Sequence, residues 1–292
     1  MKLQVLENHN IRFSILYILA ALLLSGNSAQ AKPVQAGHVE AELISEISSI
    51  APGEPFWVAL RLRMDDDWHI NWQNPGDFGL APTITWQLPE GFTAGEIEWP
   101  VPHRLIFSPF VGYGYEGEKI LPVKISPPKS VLPGTEIRIE AAADWVVCGE
   151  VCIPGGAKLS LELEVTKGSP LPNKNWAKLF ERFRKDAPQQ DSSYRVSSKL
   201  TKKTLFISVA RNLSDKMQID SLIFYPKFNG LINNAAAQQL SKDESGYVLE
   251  IERDPLGVTP PERLKGILVL RKNGDSKTIK TNIKFDVLLD KN

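Results

Sequence analysis

Apolar and polar residues alternate along much of the chain with the two-residue period of a half-buried β-strand. Phe56, Val58, Leu60, Leu62 and Met64 fall on one face, just after the turn cluster Ala51-Pro52-Gly53-Glu54-Pro55. Ile137, Ile139 and Ala141 repeat the pattern, as do Leu159, Leu161, Leu163 and Val165. It returns beyond residue 190, first in Leu205, Ile207 and Val209. It is clearest in Ile279, Thr281, Ile283, Phe285 and Val287, with Lys280, Asn282, Lys284 and Asp286 opposite. Short strands punctuated by Pro and Gly predict an all-β protein built of β-sandwiches.

One stretch has another period. Trp176, Leu179, Phe180 and Phe183 stand at i, i+3, i+4 and i+7, the stripe of a short amphipathic helix. Gly168-Ser-Pro-Leu-Pro172 before it reads as a linker. Asn173 or Asn175 is placed to cap the helix and Pro188 to end it. An apolar stripe of this kind is expected to pack on a flanking module rather than to dock a partner. The expected organisation is a first sandwich over 32–168, a linker with a short helix over 169–189, and a second sandwich over 190–292. The second region has neither cysteine nor histidine and reads as supporting.

Residues 1–31 read as an export signal. Lys2 and Arg12 precede the apolar run Phe13–Leu24, and Ala29-Gln30-Ala31 gives an A-x-A cleavage pattern. The run is shorter than the ~20 residues a membrane-spanning helix needs. No cysteine lies near the cleavage point to carry a lipid. The expected location is the periplasm, where disulfides persist.

Composition narrows the function classes. Of 292 residues, 42% are apolar and 23% charged, which is ordinary for a globular protein. Lys and Arg together number 34, as do Asp and Glu, so no global basic surface points to nucleic acid or anionic lipid. No G-x-S-x-G, P-loop or H-E-x-x-H pattern supports hydrolase or nucleotide chemistry, and no cofactor is expected.

The chain has only two cysteines, in Asp144-Trp-Val-Val-Cys148-Gly-Glu-Val-Cys152-Ile-Pro-Gly-Gly156. A strand runs into Cys148, a three-residue connection follows, and a second strand leaves Cys152. Paired strand ends lie ~4.5–5.5 Å apart, within disulfide range. Closing a loop of about five residues contributes only ~2 kcal/mol, against ~4.7 for a 100-residue loop, so a reactive bond is favoured over a staple. A structural bond in a non-catalytic binding module remains the alternative. The pair is not C-x-x-C, and Glu150 between the thiols disfavours thiolate. A third reading has the two thiols binding a soft metal ion with the remote His69 and His103.

Two aromatic blocks stand out. Asp65-Asp-Asp-Trp68-His69-Ile-Asn-Trp72-Gln-Asn74-Pro75-Gly76-Asp77-Phe-Gly79 reads as a long aromatic-stapled loop, or else as a wall beside the cysteines. Phe107-Ser-Pro-Phe110-Val-Gly-Tyr113-Gly-Tyr115-Glu-Gly117 reads as a hairpin, or as a cap hinged at Gly112, Gly114 and Gly117.

Trp68-His69, Trp72-Gln-Asn74-Pro75-Gly76-Asp77, Gly112-Tyr113-Gly-Tyr115-Glu-Gly and Trp145-Val-Val-Cys148-Gly-Glu-Val-Cys152-Ile-Pro154 together resemble the N-terminal periplasmic domain of DsbD-type and ScsB-type thiol:disulfide interchange proteins. The resemblance runs over roughly residues 35–290. It implies an immunoglobulin-like sandwich, and by likeness to the ScsB branch two modules in tandem. It implies Cys148 and Cys152 as the redox pair, passing electrons from a membrane donor to periplasmic thioredoxin-like disulfide proteins. It implies a cap or pocket drawn from Trp68, His69, Phe107, Phe110, Tyr113, Tyr115 and Trp145. The chain carries neither the multi-helix membrane domain nor the C-terminal C-x-x-C domain of the full-length family, so the implied donor is a separate protein. The association of ScsB-like proteins with copper stress keeps a metal-related role open.

Overall fold

The computed structural model describes residues 32–211, 219–244, 246–273 and 278–291. The export signal expected over 1–31 lies outside the described residues. The first module holds β1 (Val34–Ala36), β2 (Val39–Ser45), β3 (Ser49–Ile50), β4 (Phe56–Met64), β5 (His69–Gly76) and β6 (Thr83–Gln87). It continues with β7 (Thr93–Ile97), β8 (His103–Phe107), β9 (Phe110–Glu116), β10 (Glu118–Ser126), β11 (Glu136–Cys148) and β12 (Cys152–Val165). Helix α1 (Ala177–Asp186) follows. The second module holds β13 (Tyr194–Leu200), β14 (Thr204–Arg211), β15 (Ser221–Pro226), β16 (Gln239–Lys242), β17 (Tyr247–Glu252), β18 (Arg263–Asn273) and β19 (Thr278–Lys291). The fold is mostly β, with two immunoglobulin-like sandwiches in tandem.

In the first sandwich one sheet runs β1-β2-β4-β10-β7. The other runs β3-β12-β11-β5-β9-β8, with β6 against β11. Strict alternation drives the two sheets together. Phe56, Val58, Leu60, Leu62 and Met64 all turn inward, to meet Ile137, Ile139, Leu159, Leu161 and Leu163 from the facing sheet. In the second module the strand order is β15-β18-β19-β13-β14-β17-β16. Strand β19 pairs antiparallel with β18 through Leu288. Its last residues, Leu289–Lys291, then pair in parallel with β13. One strand that changes partners in this way folds the two wings over a shared core of Leu205, Ile207, Phe224, Leu249, Leu268 and Ile283.

The helix packs on the outer face of β2, β4 and β10. Phe180 is buried there against Ile44, Ala59 and Ile120, with Trp57, Trp176, Leu179 and Phe183 around it. Neither Asn173 nor Asn175 caps it. Its N-cap is Trp176, without a side-chain cap bond, while the Asn173 side chain accepts from Asn175 N at 3.1 Å in the preceding turn. Ala187, immediately before Pro188, is already extended, as the residue before a proline prefers. A buried cation beside it helps hold the helix. Arg61 donates to Glu40, Glu42 and Glu118 and lies 5.3 Å under the Trp176 ring, and Arg184 donates to Glu46 at 2.6 Å. Replacing Phe180 with alanine is expected to lower the unfolding free energy by about 3 kcal/mol, read from urea denaturation. A loss under ~1 kcal/mol would show that this contact does not seat the helix.

The two modules are bound by a polar and aromatic seam. Asn234 of the second module accepts from the Tyr113 hydroxyl at 2.8 Å and donates to Asp77 at 2.7 Å; its carbonyl accepts from Arg104 at 2.7 Å. Asn74 donates to the Pro226 carbonyl and Asn229 to the Gly76 carbonyl, both at 2.8 Å. Between these bonds the rings of Trp72, Tyr113 and Tyr225 meet edge to face, with centroids 5.5–6.4 Å apart. The block Trp72–Asp77 is therefore mostly strand, and its far end anchors the second module.

Candidate functional site

The long hairpin β11–β12 carries the cysteines at its tip. Thirteen opposed pairs run without a break from Glu136 and Glu164 up to Cys148 and Cys152. The connecting turn is tight, with Gly149 N donating to Val151 O at 3.0 Å. The two cysteines form a disulfide with their Cα atoms 4.0 Å apart. The two sulfurs do not share one environment. Cys148 is only 1% exposed, whereas Cys152 stands at the exposed rim beside Val151, itself 61% exposed.

Sheet register decides what surrounds them. Cys148 lies opposite His69 of β5, and His69 lies opposite Glu116 of β9. Directly opposed residues share a face, so Cys152, Cys148, His69 and Glu116 form one row across four strands. The next row, Val147, Ile70 and Tyr115, points the other way into the sandwich core. The thiol row therefore lies on the outer face of the sheet.

That face is partly covered. The turn Asp65–Asp67, with Asp67 at a positive φ of 66° and Trp68 N bonded to Asp65 O, brings Trp68 against Gly149. A β-carbon on Gly149 would sit 3.3 Å from the Trp68 ring. Trp68 also stacks on His38 with centroids 3.7 Å apart. His69 is buried and packs against Phe107 and Phe78, at 5.4 and 5.9 Å between centroids. Burial pushes its imidazole below the ordinary histidine value, while the Glu116 carboxylate opposes that shift. Its Nε2 has no hydrogen-bond partner among the described residues.

Phe78 is a neighbour that the sequence did not single out. Asn71 donates to its carbonyl at 3.0 Å, and Asp77 accepts from Val111 N at 2.7 Å, which pins the loop on both sides. A β-carbon on Gly112 would come within 2.6 Å of the Phe78 ring. Gly112 is thus a spacer beneath an aromatic ring, not a hinge, and Gly114 serves the same purpose beside Leu105. Gly117, at a φ of 66°, shapes the turn into β10.

The residues expected at the cap divide into two groups. Trp68, His69 and Phe107 gather near the cysteines, and Phe110 is exposed at the tip of the β8–β9 hairpin. Tyr113, Tyr115 and Trp145 face the core instead. The Tyr115 hydroxyl donates to the Pro100 carbonyl at 2.8 Å, and burial holds both tyrosines well above the ordinary phenol value. His103 lies on β8 opposite Gly114, away from the row of thiols. Among the described residues no three His, Cys, Asp or Glu side chains group to hold a metal ion.

The disulfide thus lies at the tip of a hairpin in an immunoglobulin-like sandwich. Residues 38–164 match the family described as "Thiol:disulfide interchange protein DsbD, N-terminal". The N-terminal periplasmic domain of ScsB from Proteus mirabilis has a similar structure, with a TM-score of 0.60 at 17% identity. That match covers 85% of this chain and 94% of the other, and extends the likeness in fold across both modules. A protein of unknown function from Porphyromonas gingivalis W83 aligns at a TM-score of only 0.25, with 12% identity over 85% of this chain and 100% of that one. No curated protein sequence matches the chain.

Proposed function

We propose that this chain exchanges its Cys148–Cys152 disulfide with partner dithiols in the periplasm, relaying electrons between a membrane donor and thioredoxin-like proteins. The observation that carries the reading is the asymmetry of the bond, in which one sulfur is buried and the other lies at the rim. Thiolate attack needs a line of approach to the sulfur. Cys152 is the attacked atom: the incoming thiolate bonds to its Sγ and Cys148 leaves with the electron pair. A second partner thiol then releases Cys152, and the two electrons have moved to this chain. Transfer onward runs the same steps backwards.

The exposed Val151 next to Cys152, with Phe107 packed on His69, supports the reading, since an interchange partner needs a surface beside the sulfur that excludes water. Trp68, His69 and Phe107 serve as the cap that limits access by unselected thiols. The export signal at 1–31, the first module at 32–168, the linker at 169–189 and the supporting module at 190–292 complete the proposal. Among the described residues no helix is long and apolar enough to cross a membrane.

The test is covalent trapping. With Cys148→Ser, the lone Cys152 is expected to capture an oxidised thioredoxin-like partner as a mixed disulfide, seen as a band lost on adding reductant. The reading fails if no adduct forms and if mild dithiol reductant leaves the native bond closed.

A further inference from the structure

The row across the outer face contains one group that disulfide exchange alone does not call for. We propose that His69 is the proton acceptor for Cys148, holding the buried sulfur as a thiolate beside an imidazolium once the bond opens. The proposal rests on the exchange reading above and adds the residue that settles the protonation of the leaving sulfur.

Three observations carry it. Cys148 and His69 are opposed residues on paired strands, with their side chains on one face. Such neighbours lie ~4.5–5.5 Å apart at Cα, within reach of each other's side chains. Secondly, the His69 Nε2 is buried with no hydrogen-bond partner among the described residues, an arrangement that gains a partner when a thiol appears opposite. Thirdly, the sulfur that would carry the charge is the buried one, and a buried thiolate needs a counter-charge.

The surroundings favour a proton on the ring only after reduction. Glu116 of β9 stands on the far side of His69 and is the charged group acting on it. From β8 and from the loop after β5, His69 meets the uncharged rings of Phe107 and Phe78. On β11 the residue opposed to it is Cys148. Desolvation keeps the imidazole neutral at pH 7 while the disulfide is closed, so its nitrogen is free to accept.

The step balances. The partner thiol ionises and its thiolate attacks the Cys152 Sγ. The new S–S bond forms, the Cys148–Cys152 bond breaks, and the electron pair stays on the Cys148 Sγ. The proton given up by the partner passes through solvent to His69. The partner's second thiol then ionises, closes the partner's own disulfide and releases Cys152, which takes that second proton. The partner has lost two electrons and two protons. This chain holds Cys152 as a thiol and Cys148 as a thiolate paired with the His69 imidazolium.

Histidine side-chain NMR on the full exported protein tests this, with the His69 signals assigned by their loss in His69→Gln. The His69 midpoint is expected to rise by about 1–3 pH units when the protein is reduced with a phosphine. In the Cys152→Ser background, the Cys148 thiolate absorbance near 240 nm is expected to titrate at higher pH once His69→Gln is added. A His69 midpoint that is the same in both redox states overturns the inference, as does a Cys148 titration indifferent to His69→Gln. If His69→Gln fails to fold, the redox-dependent midpoint in the unaltered chain decides alone, with the signals assigned through the sequence. Adduct formation by Cys148→Ser does not involve this titration. An unmoved midpoint with an adduct therefore ends this inference and spares the exchange reading. A moved midpoint without an adduct supports the proton pair while the exchange reading falls.

Discussion

Cys152→Ser is expected to abolish exchange with any partner disulfide, while the protein keeps its unfolding midpoint to within a few degrees. The remaining thiol, Cys148, is buried between paired strands, opposite His69 of β5. An incoming disulfide has no line of approach to it, so the loss of rate exceeds what the loss of one of two equivalent thiols would cause. Stability changes little because the bond closes a loop of only a few residues, worth ~2 kcal/mol by chain entropy. The measurement pairs a stopped-flow exchange assay against an oxidised thioredoxin-like protein with a thermal melt. Exchange by Cys152→Ser at a rate near that of Cys148→Ser would refute the assignment of roles. Collapse of the melt would refute the claim that the bond adds little to the scaffold.

Trp72→Ala is expected to cost about 4–5 kcal/mol, more than opening the disulfide. The side chain is fully buried where the two modules meet, edge to face with Tyr113 on one side and Tyr225 on the other. Removing a side chain of this size from a packed core loses its transfer free energy and leaves a cavity. The hydrogen bonds around Asn234 would then sit beside water-accessible space and weaken with it. Trp72→Phe gives the informative contrast. The Trp72 indole N–H has no acceptor among the described residues, so replacing it forfeits no hydrogen bond, and phenylalanine should retain much of the packing. Urea unfolding of both variants, followed by tryptophan fluorescence and by far-UV circular dichroism, separates the outcomes. Equal losses for the two variants would mean that shape at this seam matters less than the geometry indicates.

Much of this architecture is legible in the sequence. The alternation in β11, β12, β14 and β19 is plain because one face of each strand is buried and the other is wetter, whereas the outer face of β4 is covered by the helix. The helical stripe is equally plain, since Phe180 and its neighbours have to meet one sheet. The cysteine hairpin is legible because its loop is too short to permit another arrangement. The cap residues are less so. Trp145 is three positions from Cys148 along a strand, an odd number, which sends it to the opposite face. Tyr115 is one position from Glu116 and likewise turns inward. Counting parity from Cys148 separates Trp145 from the thiol row, whereas Tyr115 is placed only by the pairing of β9 with β5. Phe78 had no such signal. It lies in a loop without periodicity, held by Asn71 and by the room that Gly112 leaves, and only tertiary structure brings those together. The docking of Asn229 and Asn234 onto β5 and β9 was invisible for the same reason: polar residues in a loop look the same whether they face water or another module.

The shortness of the loop that the two sulfurs close has a consequence for the lifetime of the molecule. Twelve backbone pairs hold the β11–β12 ribbon below the bond. Opening and closing the bond therefore leaves one and the same scaffold. The expected result is that the ribbon below the sulfurs stays paired in both oxidation states, leaving no newly frayed segment for a protease to find.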